Sequence, residues 1–240
     1  INNNSYTNGA NRIHVGHAVL SDFVQGFKVK SGTWNVSSQD SLVVIHSRFL
    51  QGGSAMNNES GTMRPIDFSY NRLVNSGLST NTWTLYANIS NNTVTNNSNS
   101  YLNITINQNT DSYQGYRGVC NVQDNDFEFV RLYLNGSHYR TSTTRVERNT
   151  LTRCNSSSTG MFLNIYNGYS NGTADSVRLI VSNNSINGQA QTSNSGYGIY
   201  ANFNNEPVSL EIRNNAIQAT RYGIYVNSTK SSKAIIENNT

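Results

Sequence analysis

The feature that most constrains this chain is a short alternating pattern that returns in the same register along nearly its whole length. It is clearest in residues 209–227, SLEIRNNAIQATRYGIYVN. Leu210, Ile212 and Ile217 share one face across a bend at Asn214-Asn215, and Ile224 and Val226 follow a second bend at Gly223. Alternation at period two means strands with one buried face. Strands this short, joined by bends too tight for helices, must bury that face against copies of themselves.

The copies are present. With Asn215 as the reference, an Asn recurs with apolar residues five and three positions before it and two after it. Asn184 has Leu179, Val181 and Ile186, and Asn149 has Val146 and Leu151 with Thr144 in the first position. Asn125 has Cys120, Val122 and Phe127, Asn92 has Ala87, Ile89 and Val94, and Asn71 has Ile66, Phe68 and Leu73. Two further matches carry another residue in place of Asn, Arg48 (Val43, Ile45, Leu50) and Asp22 (Val19, Val24), and Asn239 follows Ala234 and Ile236. The spacings run from about 21 to about 35 residues, and the shortest is near the one-coil length of a parallel β-helix.

The pattern V-x-L-x-I-x-x-N-x-I followed by G-I-Y resembles the repeat of right-handed parallel β-helix proteins of the pectate-lyase-like superfamily. That superfamily includes polysaccharide lyases and hydrolases, alginate epimerases and bacteriophage tailspikes, and the resemblance covers about residues 18–240. It implies an all-β fold, a single-stranded right-handed parallel β-helix whose strands stack about 4.8 Å apart. It also implies Asn ladders, one side-chain amide on the next, as in other stacked strands. Asn at such a bend tolerates left-handed backbone angles.

Composition agrees with one elongated domain, residues 1–240. Charged residues make up 12% and hydrophobic residues 35%, with 40 Asn and two Pro. The regular apolar positions argue against the disorder that low hydrophobicity would otherwise suggest. A solenoid core is one repeat wide and grows by addition, which suits this length. Beginning at Ile and ending inside a repeat, the chain is expected to be a segment of a longer protein. No amphipathic helix stands out. Residues 54–64, 108–116, 136–143, 167–175, 189–195 and 228–233 read as loops.

A net charge of +4 is spread over scattered Arg residues with no Lys/Arg cluster. Nucleic-acid binding is therefore disfavoured, and an anionic polysaccharide suits diffuse positive charge better. No transmembrane run, signal peptide or lipidation motif is present, so no membrane insertion is expected. Cys120 falls at an inward position and Cys154 just past the Asn149 bend, and their pairing is left open.

Chemistry must come from outward residues. Asp126 and Glu128 flank the inward Phe127, and Glu147 stands two before the bend Asn149 on the next coil, beside Arg145. Carboxylates on adjacent coils fall in the range used by paired acids in glycoside cleavage, about 5 to 9.5 Å. The competing reading is a solvated surface with Arg145 or Arg131 as local partner. His14, His17, His46 and His138 lack metal-ligand spacing, and no metal or other cofactor is expected.

A second repeat lies inside the first. Leu132-Tyr133-Leu134-Asn135, Met161-Phe162-Leu163-Asn164, Ile199-Tyr200-Ala201-Asn202 and Ile224-Tyr225-Val226-Asn227 each place an aromatic between apolar residues. With the flanks inward, period two sends Tyr133, Phe162, Tyr200 and Tyr225 outward in one column. In the inverted register the rings fill the core instead. Outward rings stack on sugars or pack against a neighbouring chain. The resemblance implies a phage tailspike or tail-fibre body on the virion surface, a homotrimer that binds, and in some cases cuts, a host cell-surface polysaccharide. The alternative is a secreted or cell-surface bacterial β-helix, either a carbohydrate-active enzyme or a structural adhesin. Both are extracellular.

Overall fold

The computed structural model describes residues 2–3, 12–31, 41–58, 65–82, 86–97, 102–109, 118–138, 142–154, 160–167, 177–188, 196–203, 208–218, 220–228 and 233–240. These residues form a right-handed parallel β-helix. Each complete coil supplies one strand to each of three sheets, which have 9, 9 and 8 strands among the described residues. Sheet I runs from Arg12–Gly16 to Lys233–Glu237, and sheet II from Val19–Ser21 to Ala216–Gln218. Sheet III runs from Asn2–Asn3 through Gln25–Ser31 to Tyr222–Ser228. Pairing is parallel throughout, coil to next coil, as in Ile89 on Val122 and Val122 on Val146.

The core is the stacked inward face of the three sheets. Ile66, Phe68 and Leu73 lie beneath Ala87, Ile89 and Val94, and all six are buried. Phe49 fills the second coil, flanked edge-on by Phe23 and Phe27 and stacked 5.9 Å from Phe68. Close packing leaves no room for side chains at Gly26, Gly52, Gly53 and Gly198. A Cβ on Gly52 would sit 2.4 Å from the Phe23 ring, and one on Gly198 would sit 2.4 Å from Ile217.

The first bend, between sheets I and II, carries the ladder expected from the sequence. Asn71, Asn92, Asn125, Asn149, Asn184, Asn215 and Asn239 are joined in order, each Nδ2 donating to the next Oδ1. The same Oδ1 accepts the preceding ladder residue's backbone N–H. The second Nδ2 hydrogen reaches back to a strand carbonyl of the previous coil, as from Asn184 to Val146 at 2.8 Å. An Asn amide has two donors and two acceptor sites. At the interior rungs, Asn92 to Asn215, all four are used, so a polar group with 1–2% exposure is fully satisfied.

The left-handed backbone angle belongs to the residue before each ladder position, not to the ladder Asn itself. These residues are His17, His46, Tyr70, Asn91, Asp124, Arg148, Asn183, Asn214 and Asn238, with φ between 50° and 57°. For a non-Gly residue this conformation costs about 1–2 kcal/mol. The N–H it turns outward is satisfied by the next coil, as from Tyr70 to the Ser90 carbonyl at 3.0 Å.

Two matches at the N-terminal end shift register. Ser47, not Arg48, occupies the ladder position, and its backbone N–H donates to Asn71 Oδ1. The inward residues of that coil are Leu42, Val44 and Phe49, whereas Val43, Ile45 and Leu50 are half-buried on the other face. Ser-Leu-Val-Val-Ile is apolar on both parities, so period two cannot choose the face. In the first coil the register places Ala18 beside Ser47. Asp22 instead takes the left-handed position of the second bend, and Val19 and Val24 are exposed.

Some expected loops are partly strand. Ser54–Asn58 belongs to sheet III, and Val130–His138 and Ser142–Glu147 take up most of the expected 136–143 loop. Leu102–Asn109 covers the start of the 108–116 loop, and the first residue of the 167–175 loop and both end residues of the 228–233 loop are strand. The rest of these loops and all of 189–195 fall outside the described residues.

Asn184→Leu removes two donors and two acceptor sites from the buried ladder, stranding Asn149, Asn215 and the Val146 carbonyl. At about 1–3 kcal/mol per stranded buried group, the expected loss is at least about 3 kcal/mol in chemical denaturation. Asn239→Leu, at a half-buried rung, should cost about a third of that; equal losses would contradict the ladder account.

Candidate functional site

The outer face of sheet III is where the second repeat falls. Leu132, Leu134, Met161, Leu163, Ile199 and Ala201 are all at 0% exposure, so the rings between them point outward and the inverted register is excluded. Tyr133, Phe162, Tyr200 and Tyr225 are aligned by strand register. Consecutive ring centroids are 4.9, 4.9 and 5.1 Å apart, with interplanar angles of 7°, 5° and 21°. This separation matches the strand spacing of about 4.8 Å, so the rings stack because the coils do.

Such stacking uses the ring faces on one another. Phe162 has Tyr133 on one face and Tyr200 on the other. What the column turns to solvent is ring edges and the hydroxyls of Tyr133, Tyr200 and Tyr225. Tyr197 and Tyr222 widen the cluster: their rings stack at 5.2 Å, and Tyr197 lies 5.2 Å from both Tyr200 and Tyr225. The tetrapeptide Tyr-Gly-Ile-Tyr occurs at both 197–200 and 222–225. That repetition is the sequence signal for this second pair, and the reading of single rings passed over it.

Two residues beyond the rings, a second amide column runs along the same outer face. Asn164 Nδ2 donates to Asn135 Oδ1, Asn202 Nδ2 to Asn164 Oδ1 and Asn227 Nδ2 to Asn202 Oδ1, at 2.8–2.9 Å. Unlike the interior ladder, these amides are half-buried. Asn164 and Asn202 each spend one N–H and one oxygen site within the column and keep a second of each.

The candidate acids lie elsewhere. Asp126 and Glu128 are on the sheet II strand Asp126–Glu128, opposite Thr150 and Thr152. Glu147 is on sheet I, opposite Gln123, with the Asp124-Asn125 bend between it and that strand. Its carboxylate accepts from Gln123 Nε2 at 2.9 Å and Ser182 Oγ at 3.1 Å, with Arg148 3.6 Å away. Glu128 pairs with Arg153 at 3.1 Å. Asp126 is exposed. Arg145 is half-buried on sheet I opposite Asn121 and Ile180, on a different sheet from the ring column.

Other charges also pair, between coils and along one strand. Arg178 Nε reaches Glu211 at 2.9 Å, and Arg213 joins Glu211 at 3.5 Å and Glu237 at 2.7 Å. Asp124 and Arg148 form a two-pronged pair at 2.8 Å. The Arg148 hydrogen bond holds the Asp124 carboxyl below its usual range, against a smaller opposing effect of partial burial. Cys120 is a free thiol in the core, pushed by burial up to about 12. The side chain of Cys154 lies outside the described residues, as does that of His138. His17, His46 and Tyr70 form a third stack, at 5.3 and 5.1 Å, on the left-handed positions of the first bend. Among the described residues no group of three or more His, Cys, Asp or Glu is placed to hold a metal ion.

Taken together, the three parallel sheets, the buried amide ladder and the outward columns define a right-handed parallel β-helix solenoid. No family model, no curated protein and no solved structure matches the chain.

The Asp124–Arg148 pair generates a pH test. A depressed folded-state carboxyl stabilises above its unfolded value, near 3.8, and loses that contribution as pH falls through the folded one. Asp124→Asn keeps a residue that tolerates φ of 57°. The variant should be less stable than the parent by under about 1 kcal/mol at neutral pH, since the pair is exposed. The difference should vanish in strong acid; a gap that persists there assigns the effect to something other than the carboxylate.

Proposed function

We propose that the chain is the β-helical body of a bacteriophage tailspike or tail fibre, an extracellular rod that binds a host surface polysaccharide along the outer face of sheet III. The observation that carries this reading is the repetition of like groups at one-coil intervals on that face. Asn164 and Asn202 present a spare amide N–H and oxygen site, and Tyr200 and Tyr225 present hydroxyl-bearing edges, coil after coil. A polysaccharide is itself a periodic array of hydroxyl donors and acceptors on apolar rings. A periodic surface pairs with it over several units, so many weak contacts add up. The net charge of +4 favours a chain carrying acidic groups.

The reading is of binding without an assigned cleavage step. Glu128 is held by Arg153, and Glu147 by Gln123 and Ser182. Asp126 and Glu147 stand on different sheets, around a bend from one another. The proposal includes a parallel homotrimer, as the resemblance implies, in which each chain carries the sheet III face along the rod.

An array of bacterial surface polysaccharides tests the binding, with mass in solution measured on the same sample. Binding to at least one polysaccharide is expected. It should weaken at least tenfold, about 1.4 kcal/mol, in the Asn164→Ala/Asn202→Ala variant, with little change in Tm. Silence across the array, or a variant that binds as well as the parent, would overturn the reading. A monomeric mass would remove the trimer from it.

A further inference from the structure

The outer face of sheet II carries one pair of charges that the rest of the fold avoids. Strand register sets Arg48 directly opposite Arg72 on the next coil. Both are exposed, and the residues after them, Phe49 and Leu73, are buried in the core. The two guanidinium groups therefore leave the same face from strands about 4.8 Å apart. No other strand pairing among the described residues sets two like charges in register.

Like charges directly opposite one another destabilise a sheet, and here no acid offsets them. Arg148, Arg153, Arg178 and Arg213 each meet a carboxylate, whereas no ion pair joins Arg48 or Arg72 to one among the described residues. The surrounding acids are engaged or distant. Asp67 accepts from Ser69 and Asn88, and Asp124 is held by Arg148. Asp126 lies two coils beyond Arg72 in the same row, past Thr93, or about 10 Å at the strand spacing. Asp22 takes the second bend, across the width of the sheet.

The corner beside the pair is lined with hydrogen-bonding groups. His46 precedes Arg48 by two residues and Tyr70 precedes Arg72 by two, and both are exposed on the first bend. Their rings stack on one another at 5.1 Å, with His17 stacked on His46 at 5.3 Å. The faces are used within the stack, so the edges, with the imidazole nitrogens and the Tyr70 hydroxyl, meet solvent.

We propose that Arg48 and Arg72 form a binding site for a dianionic phosphate group, with the edges of His46 and Tyr70 as further donors. A phosphate monoester carries close to two charges at neutral pH and three strong acceptor oxygens. It can give each guanidinium an edge of two oxygens, sharing one between them, and so replaces a repulsive pair with two charge-assisted contacts. A carboxylate has one charge and two oxygens, enough for one fork only. The site is on a different sheet from the ring and amide columns, and the inference does not rest on the polysaccharide reading. A free phosphate monoester and a phosphate headgroup on a lipid surface share this chemistry.

The test titrates the whole chain calorimetrically with inorganic phosphate and glycerol phosphate, and with acetate as the carboxylate control, at constant ionic strength. Vesicles of phosphatidylcholine with and without phosphatidic acid form the second arm. A phosphate probe should bind with a Kd on the order of 1 mM or tighter, and acetate at least tenfold more weakly. Arg48→Gln and Arg72→Gln should each weaken phosphate binding at least tenfold. Lys233→Gln, which removes an exposed cation at the other end of the helix, should leave it unchanged. Binding of the soluble probes assigns a free ligand. Capture only by phosphatidic acid vesicles, lost in the same two variants, assigns a lipid headgroup. Absence of binding to either kind of probe, binding that both variants retain, or acetate bound as tightly as phosphate would overturn the site. Should a Gln variant fail to fold, the Lys variant at that position, which keeps the charge and loses the fork, takes its place with weaker binding again expected.

Discussion

Everything in this molecule hangs on the buried amide at the first bend. A solenoid coil has to turn a corner without a helix, and turning it points backbone N–H and carbonyl groups into the interior. Here each ladder Asn accepts the backbone N–H of one neighbouring coil's ladder residue and donates to a strand carbonyl of that same coil. One side chain thus ties bend to bend and bend to strand. Because both bonds need the coils in one register, the ladder sets that register while it satisfies the corner. The chain at the N-terminal end manages with less: Ser47 carries the ladder on with a hydroxyl, accepting from Ala18 and donating to Ile45.

Coil-on-coil stacking also governs the outer surface, where like side chains meet like. For amides this is useful, because each has both donor and acceptor. Aromatic rings gain offset-stacking contact and give up their faces, so a row of rings that looks like a sugar platform presents mostly edges. Charges cannot repeat without repulsion, and on sheet I arginines pair with acids of the neighbouring coil, as Arg178 does with Glu211 and Arg213 with Glu237.

The sequence by itself determined the repeat, and with it the parallel stack. Asn71, Asn92, Asn125, Asn149, Asn184, Asn215 and Asn239 align as their spacing to apolar neighbours demands, since period two and a fixed bend leave little else possible. The outward direction of the ring column was legible too, though only as one of two parities. Residues apolar on both faces were not legible: around Arg48 the parity inverted, because Leu42-Val43-Val44-Ile45 reads equally well either way.

Tertiary structure alone decided how the surface groups engage one another. Which residue of each bend takes the left-handed angle depends on where its N–H finds a carbonyl on the next coil, 21 to 35 residues away in the ladder's own steps. Glu147 reads in sequence as an outward acid beside Arg145. In the fold its carboxylate accepts from Gln123 and Ser182, which lie 24 positions before it and 35 after it. Local pattern records which face a side chain takes. What that side chain meets depends on loop lengths that set the register of distant coils, and those loops carry no periodicity to read.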